Sequence, residues 1–169
     1  MREKIPTIMT YLRENGIDML FAQETWMRKC DGAYIKQIEE YSYKFTSFRK
    51  SRKLDLGGGV GVIYKKDMKI KTMKQDYNFK SFEHLQCKIF TTKGSILFVN
   101  LYRPDYTAKN PFTVKFFLEE LTVLLQELNC ISIPCIILGD FNLHCELIGQ
   151  ESTFLSESNV GNKNEFSFE

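Results

Sequence analysis

The chain has 169 residues, 43% of them hydrophobic and 14% aromatic, and a formal net charge of +2 with both signs well mixed. That length fits one domain with a sizeable core, and so small a charge excludes a strongly basic or acidic partner-binding composition while leaving local patches open. The five cysteines (Cys30, Cys87, Cys130, Cys135, Cys145) form no CxxC pair, which argues against a disulfide framework or a zinc site and for reduced thiols in an intracellular protein.

The start, MREKIPTIMTYLREN, is charged and amphipathic rather than a secretory leader. No apolar run reaches the roughly 18 to 20 residues that cross a membrane, so no membrane partner is expected. Ile5, Ile8, Met9 and Leu12 recur at helical spacing and predict a helix over residues 3–14. Pro6 falls in its first turn, where a missing N–H costs little, and Asn15-Gly16 supplies a left-handed stop. Residues 17–21 read as a strand buried on both faces. A short helix is expected over 33–41 and a strand over 43–48.

Arg49-Lys50-Ser51-Arg52-Lys53 reads as a basic loop. With Lys65, Lys66, Lys69, Lys71 and Lys74 it is either a contact for a nucleic-acid backbone or, as most such runs are, a solvated face. Gly57-Gly58-Gly59 opens a strand over 60–64; without a GK[ST] ending or a following helix it is not a phosphate loop. Residues 82–90 and 95–102 form a hairpin turning at Lys93-Gly94. A second helix over 112–128 carries the stripe Val114, Phe117, Leu118, Leu121, Leu125 and Leu128. A buried strand at 135–138 follows. From Gln150 the composition is Ser-, Asn- and Glu-rich without a period, which predicts a loosely ordered tail, residues 150–169, after a domain spanning 1–149.

Three of these strands run directly into polar chemistry, at the end where open α/β sheets carry their sites. Met19-Leu20-Phe21-Ala22 leads into Gln23-Glu24-Thr25-Trp26, Val99-Asn100-Leu101 into Tyr102-Arg103-Pro104, and Ile136-Ile137-Leu138 into Gly139-Asp140-Phe141-Asn142. Phosphodiester hydrolysis needs a charge sink for the phosphoryl oxygens and an aligned water. Magnesium fills the first need with one or two carboxylates, since it keeps several waters. Glu24 is the candidate ligand; its bland alternative is an exposed carboxylate at a loop start. Asp140 is a candidate to orient or deprotonate water and Asn142 to donate to a phosphate oxygen, unless the pair is only a Gly-Asp turn. On an extended backbone both would face one way and Phe141 the core. Tyr102 offers a hydroxyl to phosphate, Arg103 a forked pair of donors, and Asn100, alternating with Tyr102, shares its face. His144-Cys145 has no orienting neighbour and reads as a bystander pair.

QETW, NLYRP and GDFN, in this order and at these distances, resemble the endonuclease/exonuclease/phosphatase family, and most nearly the endonuclease domain of LINE-type (non-LTR) retrotransposons. GGGVGVIYKK and FEHLQCKI resemble the strands between those motifs, with Glu83 where relatives often carry an acidic residue. The resemblance runs from about Ile17 to Asn142. It implies an α/β DNase I-like sandwich of two β-sheets flanked by helices. It also implies Mg2+ or Mn2+ at Glu24, catalytic roles for Glu24, Tyr102, Asp140 and Asn142, and DNA as substrate. The family's first-strand Asn and closing Ser-Asp-His segment have no counterpart here, so the chain corresponds to the amino-terminal and central part of such a domain. Uncovered sheet edges and self-association are expected to follow. Two alternatives stand beside DNA nicking: a remnant that binds nucleic acid or protein without catalysis, and a phosphatase of the same family acting on a sugar or lipid phosphate.

Overall fold

A computed structural model describes residues 4–27, 40–46, 58–73, 78–105, 111–148 and 152–157. Helix α1 (Ile5–Glu14) has Pro6 in its first turn and buries Ile5, Met9 and Leu12. The Asn15 side chain donates to the Tyr11 carbonyl, and Gly16 turns the chain at φ +61°, as the sequence predicts. Strands β1 (Met19–Ala22), β2 (Tyr41–Phe45) and β3 (Gly61–Lys65) form an antiparallel sheet in the order β1-β3-β2. Strands β4 (Lys69–Thr72), β5 (Glu83–Thr91), β6 (Gly94–Tyr102) and β7 (Cys135–Asp140) form a second sheet in that order. Only the β6–β7 pair is parallel, and α2 (Val114–Asn129) makes the crossover between them.

Alternation along each strand sorts the side chains into layers. On β3, Ile63 packs with Ile5, Met9 and Leu12 of α1, while Val62 and Tyr64 face the other way, toward Leu85 and Cys87 of β5. On β6, Leu97, Val99 and Leu101 meet Phe117, Leu124 and Leu128 of α2. Phe98 instead stacks on Phe21 of β1, ring centroids 5.3 Å apart. The result is helix, sheet, sheet, helix: the DNase I-like arrangement of two sheets with flanking helices. Burial between the sheets pushes the Cys87 thiol up to about 11.

The structure departs from the sequence reading at several places. On α2 the side chain turned to the core is Leu124, and Leu125 is 45% exposed. Strand β4 was not anticipated, nor was the hairpin of β8 (Leu143–Ile148) with β9 (Ser152–Glu157). The second of these strands lies inside the segment expected to be loosely ordered. The short helix at 33–41 falls outside the described residues except for its last two positions, Glu40 and Tyr41, and Tyr41 begins β2. The basic run at 49–53 and Gly57 also fall outside them. Lys65, part of the expected basic patch, pairs with Asp18 at 2.6 Å, which holds its ammonium above its ordinary range. Cys87, Cys130 and Cys135 are free thiols.

Candidate active site

The three polar strand ends meet at one edge of the sandwich. β6 and β7 run parallel with Tyr102 paired to Asp140, so both side chains leave the sheet on the same face, toward β1. The Tyr102 hydroxyl donates to Glu24 Oε1, from the loop after β1. Residues 78 positions apart are thereby joined. Burial, then the bond to Glu24, then the negative charges of Glu24, Asp140 and Glu83 raise the Tyr102 pKa far above its ordinary value. The hydroxyl therefore stays protonated and serves as a donor to Glu24.

Backbone conformation marks the same place. Among the described residues only Glu24 (φ +49°), Trp26 (φ +54°) and Asn142 (φ +47°) have a left-handed backbone without being glycine. Such conformations cost free energy unless surrounding contacts impose them, and they gather at functional sites. Here the contacts are visible. Thr25 N–H donates to the Gly59 carbonyl (3.0 Å) and Trp26 N–H to the Gly58 carbonyl (2.9 Å). Gly59 N–H in turn donates to the buried Glu83 carboxylate. A Cβ on Gly58 (φ +119°) would sit 3.0 Å from Glu83 Oε1, so glycine is needed on two counts. Glu83, whose role the sequence left open, thus anchors the loop that holds Glu24.

The Gly139–Asn142 turn is held with equal care. Gly139 (φ +142°) passes so near β6 that a Cβ would lie 1.8 Å from the Leu101 carbonyl oxygen. Asn142 N–H donates to Asp140 Oδ1 (3.0 Å), and its side-chain amide donates to the Arg103 carbonyl (2.6 Å). The backbone at Asn142 is a left-handed turn rather than the extended segment considered above; Phe141 nonetheless packs against the α2 core, edge-on to Phe117. Among the described residues one proton of the Asn142 amide is left over for a ligand.

Two of the expected substrate contacts are placed elsewhere. Arg103 is only 2% exposed; its guanidinium lies over the Phe117 ring and donates to the Asn142 carbonyl at 3.0 Å, bracing the turn rather than reaching into solvent. Asn100 does share the face of Tyr102, but it is fully buried. Its amide donates to the carbonyls of Ala22 and Gly61, both at 3.0 Å, and accepts from the Gln23 side chain. It is a bolt between the sheets just behind the site. Neither role carries a sequence signal, because each depends on partners brought in by folding. Gln23 and Glu83 were missed as supports for the same reason.

The chain matches the Endonuclease/Exonuclease/phosphatase family over residues 5–155 and belongs to it. No curated protein sequence matches it. Among solved structures it is similar in fold to humanized D. rerio TDP2 carrying 14 mutations (15% identity, TM-score 0.52, 79% of this chain and 52% of that one). It is likewise similar to the human Nocturnin catalytic domain with bound sulfate (14%, 0.58, 85% and 58%). A third likeness is to D. rerio TDP2 complexed with single-strand DNA product (16%, 0.52, 79% and 50%). The chain therefore spans between 50% and 58% of the length of these structures.

Proposed function

We propose that the chain is a metal-dependent phosphodiesterase that nicks DNA, of the kind carried by LINE-type retrotransposons. The observation that carries this reading is the Tyr102–Glu24 hydrogen bond with Asp140 in register beside it. The retroelement assignment rests on the QETW, YRP and GDFN segments. DNA as substrate is supported by that resemblance and by the fold shared with D. rerio TDP2, which is known with a single-strand DNA product.

The donor set fits magnesium or manganese. Among the described residues no three His, Cys, Asp or Glu side chains converge. A hard cation that retains its waters can still be held by one carboxylate, and Glu24 presents an exposed one whose orientation is fixed. Bound there, the metal would neutralise charge on the phosphoryl oxygens. Tyr102 has one proton and spends it on Glu24, so its first task is to aim that carboxylate. Asp140 Oδ1 is engaged by the Asn142 N–H, which leaves its second oxygen to orient the attacking water and take its proton. The remaining Asn142 amide proton is the donor to phosphate. Asn100 and Arg103 position these groups from behind.

Nicking of supercoiled plasmid, with and without Mg2+, tests the reading on a sample shown by circular dichroism to be folded. Glu24→Ala and Asp140→Ala should each slow magnesium-dependent nicking at least about a hundredfold. Nicking that survives both substitutions, or survives chelation, would refute it. A folded wild-type chain that binds DNA without cutting it would instead favour the non-catalytic remnant.

A further inference from the structure

Trp26 is the only tryptophan of the chain and is 54% exposed. Its neighbours Thr25 and Met27 are each 1% exposed, so the loop buries the residues on either side and turns the indole out. Glu24, two positions earlier, is exposed as well. A large aromatic in water forgoes burial worth a few kcal/mol, and a left-handed backbone is a further cost for so bulky a residue. Two of the three residues held in that conformation, Glu24 and Asn142, are in the candidate site. The third is Trp26, fixed by the Gly58 carbonyl that receives its N–H. The same glycine loop that sets Glu24 therefore also sets the backbone at Trp26, and a flat, exposed ring two residues from a phosphate-handling carboxylate suits a nucleobase.

We propose that Trp26 is a stacking platform for an unpaired nucleobase of the strand whose phosphate lies at Glu24. The proposal rests on the phosphodiesterase reading above and deepens it. The protein would grip its substrate by a phosphate at Glu24 and a base at Trp26, and would favour single-stranded or locally opened DNA. Stacking is tolerant of base identity, so Trp26 selects for the presence of a base rather than for a sequence.

A lone tryptophan gives a direct readout, because stacking on a base quenches indole emission. The intact chain, in chelator, is titrated with an oligothymidylate and with an abasic oligomer of equal length and charge. Emission reports stacking, and anisotropy of an end label reports binding. The thymidylate should quench Trp26 as it binds and the abasic oligomer should not. With Mg2+ restored, Trp26→Ala should lower kcat/KM on the thymidylate by about ten- to a hundredfold and leave hydrolysis of the abasic oligomer at the wild-type rate, which also shows that the variant is folded. Trp26→Phe should recover most of the loss. Binding of the thymidylate without quenching, or equal effects of Trp26→Ala on both oligomers, would overturn the platform. Hydrolysis of both oligomers without dependence on Trp26 would sink the platform and leave the phosphodiesterase standing. Quenching by the thymidylate alone, with no hydrolysis of either, would sink the phosphodiesterase and keep the platform. Absence of both binding and hydrolysis would reject both.

Discussion

At the scale of single residues the site turns on Tyr102, which donates to Glu24 and lies opposite Asp140 in register. Its pKa is raised, so the folded protein holds the phenolic proton more tightly than the unfolded chain does. As pH rises past the ordinary tyrosine value of 10.0, the unfolded chain loses its proton first and the equilibrium moves toward unfolding. Below that value the contribution is fully present. Tyr102→Phe removes the titration, so urea midpoints of wild type and variant should be offset by a constant amount up to about pH 9 and should shift in the variant's favour by pH 11. Activity of Tyr102→Phe at neutral pH should fall about ten- to a hundredfold, because Glu24 loses its orienting bond while the fold survives. Glu24, Tyr102, Asp140 and Asn142 could be singled out in the sequence because each ends or follows an apolar strand. The burial of Asn100 and Arg103 was not legible, because polarity is visible in a sequence and burial of a polar group is not. Their partners lie 78 and 39 positions away, at Ala22 and Asn142.

The elements show where periodicity suffices and where it fails. Helix α2 was legible, but the stripe was drawn through Leu125, and the helix in place buries Val114, Phe117, Leu124 and Leu128. The spacing 117, 121, 124, 128 follows one face at 3.6 residues per turn, with Leu121 partly buried on it. Leu124 and Leu125 are adjacent and chemically identical, so composition cannot rank them; the packing of Leu124 in one cluster with Leu97, Val99 and Leu101 of β6 does. Leu124→Ala should cost about 2–5 kcal/mol in a urea melt, as a fully buried leucine does. Leu125→Ala should cost under about 0.5 kcal/mol. Equal losses would mean that the helix turns both leucines equally toward the sheet. Strand β4 escaped notice because three of the four residues of Lys69-Ile70-Lys71-Thr72 are polar, as in an edge strand they can be. Strand β8 does alternate, Leu143, Cys145 and Leu147 against His144 and Glu146, but its partner β9 lacks that alternation, and only the pairing joins the two as a hairpin.

At the scale of the whole molecule the two margins of the larger sheet differ. The β4 margin presents Lys69 and Lys71, both exposed, and charged edges resist pairing with other chains. Among the described residues the β7 margin carries a charge only at its end, Asp140. Its sequence, Cys135-Ile136-Ile137-Leu138-Gly139-Asp140, reads as a strand buried on both faces, yet Ile136 is 43% exposed and β7 stands last in the sheet. On the register of β6, Ile136 pairs with Phe98 and so points toward the sheet of β1, which does not cover it. An edge strand that is apolar and uncharged up to its last residue is a template for a second copy of itself. We therefore expect concentration-dependent self-association through β7, seen in sedimentation velocity as species heavier than the monomer. Ile136→Lys should return the sample to monomer without lowering its urea midpoint, since the side chain it replaces is already half in water. Self-association that Ile136→Lys leaves intact would move the contact away from β7. Asp140 closes the same strand, so pairing there would also hinder access to the site, and the monomeric variant should then nick DNA faster per chain than wild type at concentrations where wild type associates.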